Sequence, residues 1–284
     1  MRLRRVLCSF AGVVLALAAT VGSAPAASAD DPAHYYLALG DSLARGYMPG
    51  VGDTNQGYAD DVYAALQAGD PSLELVKLGC SGETTGTMIA GGRCTDRYPV
   101  GHSQLDAAEQ FLRDHAGAVT YLTLDIGAND VDGCATGGSI DAACVTQGMT
   151  TIVGNLQKIL DGLVAAAGGS LPRSAGMTYY DPFLASWLTG LQGKVVAIAS
   201  VGLLQALNTA EATLYSGHGF KIADVGTAFH STDFLTQRTV PGYGALPLNV
   251  AYICQYTYMC QVNNIHANVA GYQLIADTFL HQLR

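Results

Sequence analysis

Apolar runs of strand length alternate with helix-period segments along most of this chain, an order that few folds accommodate. Residues 35–39, 73–78, 119–126, 177–180 and 220–225 read as five strands. Between them, 58–68, 103–115 and 148–167 place apolar residues on one helical face, as Leu105, Ala108, Phe111 and Leu112 do. Residues 184–191 and 195–215 continue the helical pattern, and 267–282 closes the chain with Tyr272, Ile275 and Phe279 on its inner side. Only loops are expected over the Gly- and Pro-containing stretch 226–262. Repeated strand–helix–strand units of this kind build a mainly parallel sheet covered on both faces, the α/β class.

The first 29 residues are expected to lie outside that fold. Arg2, Arg4 and Arg5 precede an apolar run over 6–21, and Ala27-Ser28-Ala29 gives the small-x-small signature of a signal peptide cleaved near Ala29. The chain is therefore expected to be secreted, with residues 30–284 as a single domain. No later segment reads as long and apolar enough to cross a membrane, so no stable membrane insertion is expected, and a monomer is expected. Removing the three leader arginines leaves 11 basic against 23 acidic residues, a net charge of −12. That balance argues against nucleic acid as a partner, because phosphate backbones require clustered Lys and Arg.

Six cysteines follow the leader: Cys80, Cys94, Cys134, Cys144, Cys254 and Cys260. An even number in an exported chain reads as disulfides, and spacing favours Cys80–Cys94, Cys134–Cys144 and Cys254–Cys260 among the ~15 connectivities possible. No C-x-x-C or H-x-x-x-H pair occurs, so neither a metal nor a cofactor is expected.

Four short segments fall at strand ends or before the last helix: Gly40-Asp41-Ser42-Leu43, Cys80-Ser81-Gly82-Glu83-Thr84, Gly127-Ala128-Asn129-Asp130 and Asn263-Asn264-Ile265-His266. In a parallel sheet the carboxyl ends of the strands meet at one rim, so distant segments converge there. A serine hydroxyl needs a base to become nucleophilic, and an oxyanion needs fixed donors such as a turn N–H or an asparagine amide. Ser42, His266, Gly82 and Asn129 make such a set. Each residue alone has a plainer reading: Ser42 as a helix N-cap, Gly82 and Asn129 as turn residues.

With these segments in this order, the chain resembles the SGNH hydrolases, the GDSL esterase/lipase family. The resemblance implies a flavodoxin-like three-layer α/β/α sandwich and ester hydrolysis without a cofactor. It implies Ser42 as nucleophile, His266 as base, and Ser42 N–H, Gly82 N–H and Asn129 Nδ2 as oxyanion donors. The G-x-S-x-G elbow of α/β-hydrolases fits less well, since Gly79-Cys80-Ser81-Gly82-Glu83 breaks it at the last position and leaves Ser81 as a rival on paper only.

One position departs from the family pattern. Asp commonly stands three residues before the histidine, and here that residue is Asn263. Three readings stay open: Asn263 orients His266 as a neutral acceptor, a main-chain carbonyl near Gln261–Asn264 does so, or activity is weakened. Asp41 and Asp130 read as turn residues, and Asp125, inside a strand, needs a partner if buried. Tyr47, Tyr98, Trp187, Phe229, Tyr243, Tyr252 and Tyr256 are candidates for an acyl pocket or for core packing. The expected function is hydrolysis of small-molecule or lipid acyl esters through a serine acyl-enzyme. A carbohydrate acetyl esterase and a weakened binding protein of the same fold are the alternatives.

Overall fold

A computed structural model describes residues 33–98, 102–136 and 139–284. The expected leader lies outside the described residues. Five strands, β1 (His34–Gly40), β2 (Leu73–Lys77), β3 (Val119–Asp125), β4 (Arg173–Met177) and β5 (Lys221–Ala223), pair in the order β2-β1-β3-β4-β5, every pair parallel.

Alternation along the strands builds two cores. On β1, Tyr36 and Ala38 face one side with Tyr58 and Val62 of helix α2 (Tyr58–Gln67) and Tyr272, Ile275 and Phe279 of the closing helix. Leu37 and Leu39 face the other, with residues from α4 (Gln104–Asp114) and α6 (Ala142–Ala166). The result is the three-layer sandwich, with β1 central and short helices α1 (Ser42–Arg45), α3 (Thr85–Ala90) and α5 (Ala128–Val131) beginning near the carboxyl ends of β1, β2 and β3.

Four sequence readings need correction. The fourth strand lies at 173–177, ahead of the expected 177–180, because Thr178-Tyr179-Tyr180 already forms the rim: Tyr179 N–H is taken by Asn208 Oδ1 at 3.0 Å. The stretch 226–262 is structured, with an antiparallel pair Gln237–Val240/Gly244–Pro247 and helices α8 (Val225–Ala228), α9 (Leu248–Tyr256) and α10 (Met259–Val262) between α7 (Leu191–Gly217) and α11 (Val269–Leu283). Each piece is too short to show a periodicity.

The third correction concerns α7, which is long and apolar enough, by length and composition, to cross a membrane. It packs instead as a layer helix, with Val196, Ala197, Ser200 and Glu211 turned inward and Leu191, Val195 and Ile198 exposed. The region expected as helix over 184–191 is 3₁₀ turns, Pro182–Thr189, opened by the Asp181 cap. The three disulfides pair as spacing favoured.

Candidate active site

Gly40 ends β1 with φ +137°, where a Cβ would stand 2.2 Å from Asp125 O, so only glycine lets β1 close against β3 there. The buried Gln104 brackets this glycine, accepting from Gly40 N–H at 2.7 Å and donating to Gly40 O at 2.9 Å. Asp41 caps α1, accepting from Leu43 N–H at 2.9 Å and from Tyr179 Oη at 3.2 Å. Asp125 finds its partner in Tyr58 Oη and also receives Asp41 N–H at 3.4 Å. Burial pushes both carboxyls upward, and the neighbouring Asp41 raises Asp125 further. Ser42 is thus held at the first turn of α1 by a buried framework, and its N–H has no acceptor inside so short a helix.

His266 arrives from the far end of the chain. Cys254–Cys260 joins α9 to α10, Tyr258 N–H donates to His266 O at 2.9 Å, and a bridge pairs Thr257 with Ala267. His266 Nε2 then lies 2.7 Å from Ser42 Oγ. Asn264 Oδ1 lies 2.8 Å from His266 Nδ1 and also accepts His266 N–H at 3.1 Å. A backbone N–H must donate, so the Asn264 oxygen, not its amide nitrogen, faces the ring. Nδ1 therefore carries the proton and Nε2 offers its lone pair to the serine. Burial lowers the His266 pKa to about 4, and Asp53 opposes the shift weakly.

Asn263 does not meet His266 in this way. It caps α10 in the left-handed conformation, φ +50°, its N–H bonded to Met259 O and its side chain exposed. Asparagine tolerates that conformation, which accounts for its presence there. The amide partner is the next residue. Two N–H groups converging on Asn264 Oδ1 from one residue make a local Asx-type turn, a pattern readable only once the ring is placed.

The remaining expected residues gather nearby. Cys80 N–H donates to Gly40 O at 3.0 Å, laying the Cys80–Glu83 turn beside β1. Gly82 has φ +78°, and its N–H has no acceptor among the described residues. Asn129, in α5, donates one amide hydrogen to Glu83 O at 2.9 Å, leaving the other available. Asp130 fastens α5 to α3, accepting from Thr85 N–H at 2.8 Å and Thr85 Oγ1 at 2.7 Å. Ser81 Oγ donates to Asp53 and meets no histidine.

Ser42 and His266 open onto a cleft whose walls are mostly apolar, among them Val131, Ile140, Val145, Met149, Leu203 and Leu207. Its aromatic lining comes from Tyr179, Tyr180 and Phe183, none of the aromatic candidates chosen from sequence. Of those, Tyr47 sits against the His266 ring, centroids 4.5 Å apart, and Trp187 packs on Phe234. Among the described residues no cluster of His, Cys, Asp or Glu suited to a metal occurs.

Comparison with known proteins places this fold. The fold is similar to an extracellular lipase from Streptomyces rimosus, with 18% identity, 88% of this chain and 100% of that chain covered, and a TM-score of 0.53. It is similar to the lipase Lip_vut3 from a goat rumen metagenome at 14% identity, 88% and 97% coverage and a TM-score of 0.56. An acetylxylan esterase from Geobacillus stearothermophilus is similar at 17% identity, 88% and 94% coverage and a TM-score of 0.52. Among curated protein sequences, none matches. The sequence model of one family matches residues 38–274, from inside the first strand to inside the last helix, and the chain belongs to the GDSL-like Lipase/Acylhydrolase family.

Proposed function

We propose that this chain is an exported serine ester hydrolase acting on acyl esters, with residues 1–29 as its leader and 30–284 as the catalytic domain. The observation that carries the reading is the 2.7 Å approach of His266 Nε2 to Ser42 Oγ at the floor of an apolar cleft. Ser42 Oγ attacks the ester carbonyl while His266 Nε2 takes its proton. Ser42 N–H, Gly82 N–H and the second Asn129 amide hydrogen receive the developing oxyanion. Collapse expels the alcohol, protonated from His266, and leaves an acyl-serine. His266 then activates water, and the same donors serve the second tetrahedral intermediate.

Asn264 is the orienter of His266 in this scheme. It fixes the tautomer without contributing charge to the imidazolium. The cleft walls favour acyl chains over glycans, since a sugar hydroxyl buried against Val131, Ile140 or Leu207 finds no partner. A p-nitrophenyl ester series from acetyl to palmitoyl tests the reading. Hydrolysis is expected to rise in kcat/KM beyond the acetyl ester. Activity on acetyl alone would support the carbohydrate-esterase alternative, and none on any ester would contradict the proposal.

A further inference from the structure

Arg93 lies directly over the turn that carries Gly82. A Cβ built on Gly82 would stand 2.9 Å from Arg93 Nη1 and 3.2 Å from Cζ, so the guanidinium rests against the backbone of that turn. The side chain is exposed, and among the described residues it makes no hydrogen bond and no ion pair. Glu83 feels its charge, but burial disfavours the carboxylate form of Glu83. A cation is thus left with its donors unused at the edge of the proposed oxyanion site.

Two more arginines stand close by. Asp53 accepts from Arg45 Nε at 3.2 Å, from Arg97 Nη2 at 3.3 Å and from Ser81 Oγ, the residue before Gly82. Asp53 also acts electrostatically on His266, which sets this group within reach of the base. Three of the 11 basic residues after position 29 therefore surround one turn, in a region whose net charge is −12. Among the described residues Asp53 is shared by Arg45 and Arg97, Asp60 pairs with Lys77 beside Arg45, Glu83 is buried next to Arg93 and the exposed Asp96 neighbours Arg97, so the carboxylates near this group leave Arg93 without an ion pair.

We propose that Arg93, supported by Arg45 and Arg97, is an anion subsite that selects esters carrying a phosphate near the scissile bond, the chemistry of glycerophospholipids. This rests on the Ser42–His266 reading given above. The acyl chain occupies the cleft, the ester carbonyl oxygen meets the Gly82 turn, and the phosphate, only a few bonds away, meets the free guanidinium. Arginine suits this task because its planar fork matches a phosphate and stays charged at every working pH. No covalent step is added.

Calorimetric binding to Ser42→Ala separates the subsite from catalysis. Dihexanoyl phosphatidylglycerol is expected to bind about tenfold tighter than dihexanoyl glycerol, as one charge-assisted contact supplies. Adding Arg93→Gln should abolish that difference, and Arg93→Lys should restore part of it. In the active protein, the ratio of kcat/KM for the two esters should fall by the same factor in Arg93→Gln, mainly through KM. Equal affinities, or a ratio unmoved by Arg93→Gln, would overturn the subsite. Competition by inorganic phosphate without lipid discrimination would overturn the phospholipid assignment. Failure of both esters to turn over while binding still discriminates would refute the Ser42 reading alone.

Discussion

At the scale of single residues, two asparagines next to each other do different work. Asn263 ends a helix in a left-handed conformation, and Asn264 accepts both the backbone and the ring N–H of His266. Substituting Asn264→Ala is expected to lower kcat/KM about 100-fold, within the range seen when a base loses its orienter. Asn263→Ala should cost little in kcat/KM and about 1 kcal/mol in stability, since alanine lacks asparagine's tolerance of the left-handed conformation. Equal losses in the two variants would show that Asn264 does not orient the base.

The His266 pKa, about 4, carries its own consequence. With the neutral ring as the proposed base, kcat/KM should hold its plateau down to about pH 5, well below the pH at which an ordinary histidine titrates. Asn264→Asp brings in a carboxylate, favours the imidazolium and should move the acid limb upward by about one unit or more. A pH–rate profile for the two proteins checks this. An acid limb near 6.5 in the unmodified enzyme would contradict it.

At the scale of elements, the site is assembled by loops that the disulfides tie to helices. Cys134–Cys144 links the turn after α5 to the start of α6, beside Ala135, Ile140 and Val145 of the cleft wall. Replacing both cysteines by alanine should raise KM for long acyl esters several-fold while far-UV dichroism remains native, because the wall loosens before the sheet does. Loss of activity only together with global unfolding would assign the bridge to stability alone. Narrowing the same cleft by Leu207→Trp should shorten the preferred acyl chain, read from the p-nitrophenyl ester series.

The elements also show what was legible from sequence. Four of the five strands, the three main amphipathic helices and the four segments at the rim could be read because periodicity and glycine turns are local signals. Asn264 could not, since its role depends on where the His266 ring points. Tyr179 and Tyr180 looked like strand residues because both are apolar in part, yet one hydroxyl goes to Asp41 and the other to Ile265 O. The walls of the cleft were equally hidden. Val131, Ile140 and Leu207 come from three separate elements, and no window of sequence contains them all.

At the scale of the whole molecule, the buried acids outweigh the single depressed histidine. Asp41, Asp125, Asp181 and Glu211 all have raised pKa values through burial, and both Glu211 oxygens lack a hydrogen-bond partner among the described residues. The folded protein therefore holds protons that the unfolded chain releases above about pH 4, and stability falls as pH rises through the folded-state values. His266 works in the opposite sense between about pH 4 and 6.5, since there the unfolded chain binds the extra proton. With four groups against one, Tm should be higher at pH 5.5 than at pH 8. Glu211→Gln, which keeps a neutral side chain of similar shape, should flatten that slope. A Tm that rises toward pH 8 would contradict the assignment of these acids as protonated.

The three-layer sheet brings residue 42 and residue 266 to one rim, and the central claim is that this meeting makes Ser42 a nucleophile. Covalent labelling by a fluorophosphonate, with the modified peptide identified by mass spectrometry, tests that claim most directly. Labelling is predicted at Ser42 alone, slowed about 100-fold or more in His266→Ala with the fold intact. Labelling at Ser81, or a Ser42 that stays unmodified in folded protein, would contradict it.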